Sequence, residues 1–323
     1  MHKFLSCVLI ATCLAVPACE RAEKLAKGFP TPPPEVVTPT KPLSNIEFKP
    51  DPELLKQIES IAAEAKGKVG VAAVELESGR SVSLNGDQRF PMQSVYKLPI
   101  AMAMLYTVDA EKFALDEQIG VTPVDMVGPD QHSPIRDKFP NGTALTVSEL
   151  IRSAVSESDG TASDVLMRLI GGADEIQLYL SAIGVKDLAV ISTEKELASD
   201  PQAQYLNFIT PNSAVTLLRS LHEGNGISAE NRELLLKLMV DTGTGAKRLK
   251  GLLPPANVVA HKTGTSSTKD GITAATNDIG IITMPNGRHI VIAVLVSDSP
   301  ADEKTREAVI AKIAKAACDR WSN

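Results

Sequence analysis

The chain has 323 residues, 43% of them apolar and 22% charged, with a net charge of −6. That composition belongs to a globular protein with ample core, built as one large domain or two smaller ones. An acidic balance without a basic block disfavours nucleic acid as a partner, and beyond the N-terminus nothing approaches the roughly 18 apolar residues of a membrane span.

Residues 1–18 read as a secretory signal peptide. His2-Lys3 is a short n-region, Phe4–Val16 an apolar h-region, and Val16-Pro17-Ala18 places small residues at a cleavage site. Cys19 follows at once, so the site resembles a bacterial lipobox, and Cys19 is the candidate lipidation site. Membrane anchoring would then run through that lipid. Cys7 and Cys13 leave with the signal, so at most one disulfide, Cys19 with Cys318, is available. Cys318 reads as a buried small hydrophobe on a C-terminal helix. The histidines are scattered and no metal-binding spacing occurs, so no metal and no organic cofactor is expected.

Residues 19–50 are a proline-rich linker, extended by Pro30, Pro32, Pro33, Pro34, Pro39 and Pro42. The folded body, 51–323, opens with Leu54, Leu55, Ile58 and Ile61 at helical spacing. Strands are expected at Val69–Leu76 and Ser81–Leu84. From Ser94 to about Val240 the pattern is mainly helical. A helix starts at Ser94, with Pro99 costing it one hydrogen bond. Thr146-Val147-Ser148-Glu149 is a capping box, and helices follow at about Thr161–Ile170, Pro211–Leu221 and Ser228–Val240. Ile191–Asn207 reads as a long irregular loop, the kind that is usually functional. Strands return at Val258–Thr263, Ala274–Met284 and His289–Ser297, the last two joined through Pro285-Asn286-Gly287. Ala301–Arg320 closes the chain as a helix. The fold class is therefore α/β in the α+β sense: an antiparallel sheet from both chain ends (51–90 and 241–323), flanked by N- and C-terminal helices, with an all-α part (91–240) inserted. The junction of the two parts is where a site is expected.

Three motifs carry the chemistry. Ser94-Val95-Tyr96-Lys97 sets a nucleophile and a base one helical turn apart. Ser158-Asp159-Gly160 sits between two helices. Lys262-Thr263-Gly264-Thr265 ends a strand. Together, in this order and spacing, they resemble the S-x-x-K, S-D-N and K-T-G set of class A serine β-lactamases and penicillin-binding proteins. The chain is similar to the class A enzymes, and within them to the PER- and VEB-like extended-spectrum branch, over roughly residues 51–320.

The resemblance implies hydrolysis of small-molecule β-lactams through a Ser94 acyl-enzyme, by a monomer. Lys97 is the proton acceptor, with its pKa lowered by neighbouring Lys262. Ser158 carries the proton to the leaving nitrogen, and the backbone N–H groups of Ser94 and Thr265 form the oxyanion hole. Glu194 lies 36 residues after Ser158 and matches the glutamate that activates the deacylating water, in preference to Glu196. Thr263, Gly264 and Thr265 line the substrate side, Arg248 matches an arginine reaching the substrate carboxylate, and His132 falls at an aromatic gatekeeper position. Asp159 is expected to brace its turn, and Asn277 and Asp278 to cap the hairpin strand and nothing more. Two departures stand out. Gly160 replaces the asparagine that contacts the substrate, and Ala198 stands where many relatives carry an asparagine holding the hydrolytic water. The alternatives are a D,D-peptidase, which would lack the Glu194 loop, and a non-turnover β-lactam-binding lipoprotein.

Overall fold

A computed structural model describes residues 43–199 and 202–322; the signal segment, Cys19 and the linker through residue 42 lie outside the described residues. The described chain runs β1 (Lys49–Pro50), α1 (Pro52–Ala62), β2 (Lys68–Glu75), β3 (Arg80–Leu84) and β4 (Phe90–Pro91). Next come α2 (Lys97–Asp109), β5 (Gln118–Val121), α3 (Pro134–Lys138), β6 (Thr143–Thr146), α4 (Val147–Ser156), α5 (Gly160–Ile170) and α6 (Ala173–Ala182). The remainder is β7 (Leu188–Ala189), α7 (Glu194–Ser199), β8 (Phe208–Ile209), α8 (Pro211–Glu223), α9 (Ala229–Val240), β9 (Val258–Thr265), β10 (Thr268–Lys269), β11 (Ile272–Thr283), β12 (His289–Ser299) and α10 (Glu303–Trp321).

The fold is α+β. The main sheet runs β1-β3-β2-β12-β11-β10, and β9 also pairs with β11. All its pairings are antiparallel except β1 with β3. Side-chain alternation along the central strands splits the core in two. Val74, Ile279, Ile281, Val291 and Leu295 face the helices α2, α4, α5 and α8. Val71, Ile282, Ile292 and Val294 face α1 and α10, where they meet Leu54, Ile58, Ile313 and Trp321. Both faces are covered, so these strands are apolar almost continuously rather than alternating.

Helix α2 is buried on every side, from Leu98 to Leu105, as a central core helix must be. It begins at Lys97, not at Ser94. Ser94 sits in a preceding 3₁₀ turn, Gln93–Tyr96. Pro99 therefore falls in the first turn of α2, where a backbone N–H has no intrahelical partner to lose. The capping box at Thr146 and Glu149 is present.

Three sequence expectations change. The region after Ser94 contains the β5–β6 pair and the strands β7 and β8, which form a small sheet with β4; strands of two to four residues are too short to leave a period. The last residues assigned to the linker, Lys49–Pro50, pair with Arg80–Ser81; proline is tolerated there because β1 is an edge. The stretch Ile191–Asn207 is not wholly irregular, since it contains α7 and a 3₁₀ turn at Ala203–Tyr205.

Candidate active site

Where the N-terminus of α2 meets the open edge of β9, a cavity of about 720 Å³ is lined by Ser94, Lys97, His132, Glu194, Ala198 and Thr265, among others. Lys97 is the first residue of α2 and is buried. Its Nζ donates to the Ser158 carbonyl at 2.7 Å and pairs with Glu194 Oε1 at 2.8 Å. Lys262 comes from β9 and is wholly buried; its Nζ donates to Ser158 Oγ at 2.9 Å and to the Thr263 carbonyl at 3.2 Å. Ser158 thus links the two amines, one through its carbonyl and one through its hydroxyl. It does so from a left-handed backbone, φ +59°, and Gln93 beside the Ser94 position has φ +49°. Non-glycine residues in that region persist only where their surroundings hold them, and such positions cluster at functional sites.

The charges balance unevenly. Burial pushes the Glu194 carboxyl up, but the Lys97 charge 2.8 Å away, with Lys262 further off, outweighs it and holds the carboxyl below its ordinary value. Burial first and the Lys97 charge second drive Lys262 well below the ordinary amine range, with Asp278 and Glu194 pulling the other way. Lys97 has the Glu194 carboxylate beside it, whereas Lys262 has a hydroxyl and a carbonyl as its neighbours.

Thr265 ends β9. Ser266 N donates to Ala275 O at 3.0 Å across the ladder, so strand alternation turns the Thr265 N–H to the other, open edge. Gly264 is required by packing. A Cβ there would lie 2.2 Å from the Met92 carbonyl, because β9 passes directly against the turn that carries Ser94. Thr263 is buried, with Oγ1 2.6 Å from Thr244 Oγ1.

Arg248 does not line the cavity. Its Nη1 donates to the Gly264 and Asn277 carbonyls, its Nη2 to Thr265 Oγ1 at 2.8 Å, and its Nε pairs with Glu307 at 3.2 Å. The fork expected to meet a substrate carboxylate is engaged internally, bracing the Thr265 end of β9. His132 is exposed on the rim, its Nε2 2.9 Å from the Glu157 carbonyl. Gly160, expected on the substrate side, is buried as the first residue of α5, and its N–H donates to the His132 carbonyl at 2.9 Å. Asp159 caps α5 and accepts from Ser133 Oγ and Ile135 N, the bracing expected of it. Asn277 does more than cap a strand: its amide donates to the Pro91 carbonyl at 2.7 Å and the Met92 carbonyl at 3.2 Å. Asp278 holds buried His261 at 2.9 Å and the Leu249 N–H at 3.1 Å.

The two glutamates of the loop are separated by local structure. Thr193 caps α7: Glu196 N donates to its hydroxyl, and Glu196 Oε2 accepts from Thr193 N at 2.8 Å. This is a capping box, so Glu196 is turned back along the helix while Glu194, at the first helical position, points to Lys97. Thr-x-x-Glu was the signal in the sequence for this short helix. Around it, Asp164 accepts from the Glu194 N–H at 2.8 Å and the Lys195 N–H at 3.3 Å. Asn207 Oδ1 accepts from Ile191 N at 2.7 Å and Ser192 N at 2.8 Å. No sequence motif marks Asp164, Asn207 or the buried Tyr96 as parts of the site.

Residues 53–321 match the model of the β-lactamase enzyme family, so the chain belongs to that family. It is 39% identical to β-lactamase VEB-1 of Pseudomonas aeruginosa over 84% of this chain and 91% of that one. It is 40% identical to the extended-spectrum β-lactamase PER-1 of the same organism, over 82% and 86%. The crystal structure of a β-lactamase from Chitinophaga pinensis superposes with a TM-score of 0.82 at 44% identity, covering 84% of this chain and all of the other. The TLA-1 extended-spectrum enzyme gives 0.82 at 42% identity, over 84% and 99%. These likenesses put the chain among the class A enzymes of PER/VEB-like type, hydrolases of β-lactams that confer antibiotic resistance.

Proposed function

We propose that this enzyme opens the β-lactam amide through a Ser94 acyl-enzyme that a Glu194-activated water releases. The observation that carries the reading is the buried Lys97–Glu194 pair, 2.8 Å apart, in the cavity that Ser94 lines. Ser94 Oγ attacks the lactam carbonyl and its proton passes to this pair. The developing oxyanion takes hydrogen bonds from the N–H groups of Ser94 and Thr265. Ser158, bonded to Lys262, gives its proton to the leaving nitrogen as the C–N bond breaks, and is reprotonated with the proton that the Lys97–Glu194 pair took from Ser94, which returns Glu194 to its carboxylate form. Glu194, held ionised by Lys97, then takes a proton from water as that water attacks the ester, and Ser94 leaves as the free hydroxyl.

The substrate carboxylate suits Lys262 and Thr265. A buried amine without a counter-charge is stabilised in its charged form when a carboxylate arrives beside it, so binding and charging of Lys262 reinforce each other. Arg248 serves by holding Thr265.

Nitrocefin hydrolysis by the purified domain tests the reading. Wild type turns over, and Ser94→Ala loses roughly ten-thousandfold or more in kcat. A Ser94→Ala variant as fast as wild type would remove the nucleophile, and a wild-type adduct that persists would favour a penicillin-binding peptidase. The enzyme is further read as exported to the periplasm by residues 1–18, acting as a monomer and tethered through a lipid on Cys19. Fatty-acid labelling that vanishes in Cys19→Ala supports the tether; labelling that persists, or none in wild type, excludes it.

A further inference from the structure

At the Thr265 end of β9 lies a second, smaller cavity of about 340 Å³, lined by Thr265, Ser266, Thr268, Ala301 and Arg306, among others. Thr265 and Ser266 line the main cavity as well, so one stretch of chain is the wall between the two. Arg306, in the first turn of α10, is only 5% exposed. Its Nε donates to Thr276 Oγ1 at 2.8 Å and its Nη1 to the Ala301 carbonyl. Among the described residues Nη2 has no acceptor and the guanidinium has no ion pair. A buried charge is costly unless an opposite charge meets it. The other buried arginines obey that rule: Arg248 pairs with Glu307 and Arg219 with Glu223. Arg306 is the exception, and it is the one that faces a cavity.

We propose that this cavity is a second binding site, for a small monovalent anion such as a halide or a short carboxylate, held by Arg306 Nη2 and a threonine hydroxyl. The hydroxyl follows from a count of protons. Thr268 Oγ1 lies 2.7 Å from Thr273 Oγ1, so the two share one hydrogen bond and the second proton is left to donate. The positive dipole end of α10 lies on the same side. Asp302 and Glu303 also line the cavity, but both are exposed, and Asp302 caps α10 by accepting from Thr305 N at 2.7 Å. They leave the guanidinium unmet and make a second negative charge on the ligand costly, which selects a halide or monocarboxylate over sulfate or phosphate. Thr276, which accepts from Arg306, faces Thr265 across the β9–β11 ladder, so the anion braces the strand end that both cavities share.

The test is NMR line broadening of chloride by the purified enzyme, titrated with sodium chloride at constant ionic strength against sodium sulfate. Wild type broadens the chloride line, and added acetate narrows it again while sulfate does not. Arg306→Gln binds chloride at least about tenfold more weakly, the loss of one hydrogen bond to a charged group. Lys262 is intact in that variant, so chloride held in the main cavity would broaden wild type and variant alike, and that outcome overturns the site. Displacement by sulfate as readily as by acetate overturns the choice of a monovalent ligand. Should Arg306→Gln fail to fold, anomalous diffraction from bromide-soaked wild-type crystals locates the ion without a variant. A peak beside Arg306 Nη2 is expected; a peak at Lys262 alone, or none, overturns the site.

Discussion

Lys262–Thr265 on β9 and the stretch from Ile191 to Asn207 both supply chemistry to one cavity, and they are held in different ways. β9 is fixed by a continuous antiparallel ladder to β11, by the absence of a side chain at Gly264, and by Asn277 and Arg248 beneath it. Among its described residues, the Glu194 stretch has no strand pairing. Side chains hold it instead: Asp164 and Asn207 each accept two backbone N–H groups, Gln131 donates to the Glu194 carbonyl at 3.1 Å, and Tyr205 donates to Asp298 at 2.8 Å. Backbone pairing resists single substitutions. A segment held by side chains can be released by one of them. The strand wall of the cavity is thus built into the sheet, while the Glu194 wall leans on polar side chains.

The sharpest break on the strand side is Gly264→Ala. The new Cβ would fall 2.2 Å from the Met92 backbone carbonyl, which cannot rotate away. Destabilisation on the order of 4 kcal/mol is expected by denaturant unfolding, with β9 displaced from the Ser94 turn and acylation lost. Wild-type stability in this variant would show that the strand wall is softer than described.

On the loop side, Asn207→Ala leaves the Ile191 and Ser192 N–H groups without an acceptor, a cost of about 2–4 kcal/mol. Hydrogen exchange should quicken across 191–207 and stay unchanged along β9, and deacylation should suffer more than acylation. Uniform loosening of both walls would deny the contrast.

Asp164 allows a subtler test. Burial, with the Glu194 charge, raises its pKa from 3.8 to about 6, against the pull of the two N–H donors. The folded state then holds this proton more tightly than the unfolded chain does. Below about pH 4 both states are protonated and there is no penalty; from pH 4 to 6 stability falls, by up to about 3 kcal/mol, and above 6 it levels. Glu194, depressed in the folded state, slopes the other way, so the informative quantity is wild type minus Asp164→Asn. That difference should decline from pH 4 to 6 in urea titrations. A flat difference would mean Asp164 is not perturbed.

The same contrast explains how much the sequence disclosed. Motif residues that must be of one type were legible: Ser94, Lys97, Ser158, Lys262 and Glu194 do converge. So were long apolar strands such as Ile272–Thr283 and the capped helix at Val147. What stayed hidden was support. Arg248 could be read as a substrate ligand because an arginine's value for carboxylate binding is visible, whereas its internal partners Glu307 and Asn277 are distant in sequence. The helix at Glu194 was missed because six residues give no period, although its Thr193–Glu196 box was present.

The central claim is that Glu194 is needed to release the acyl group and not needed to form it. Intact-protein mass spectrometry of Glu194→Ala, minutes after mixing with a penicillin, tests this most directly. One stable adduct mapping to Ser94 is predicted, with none on wild type under the same conditions. A variant found unmodified and turning over at the wild-type rate would contradict it.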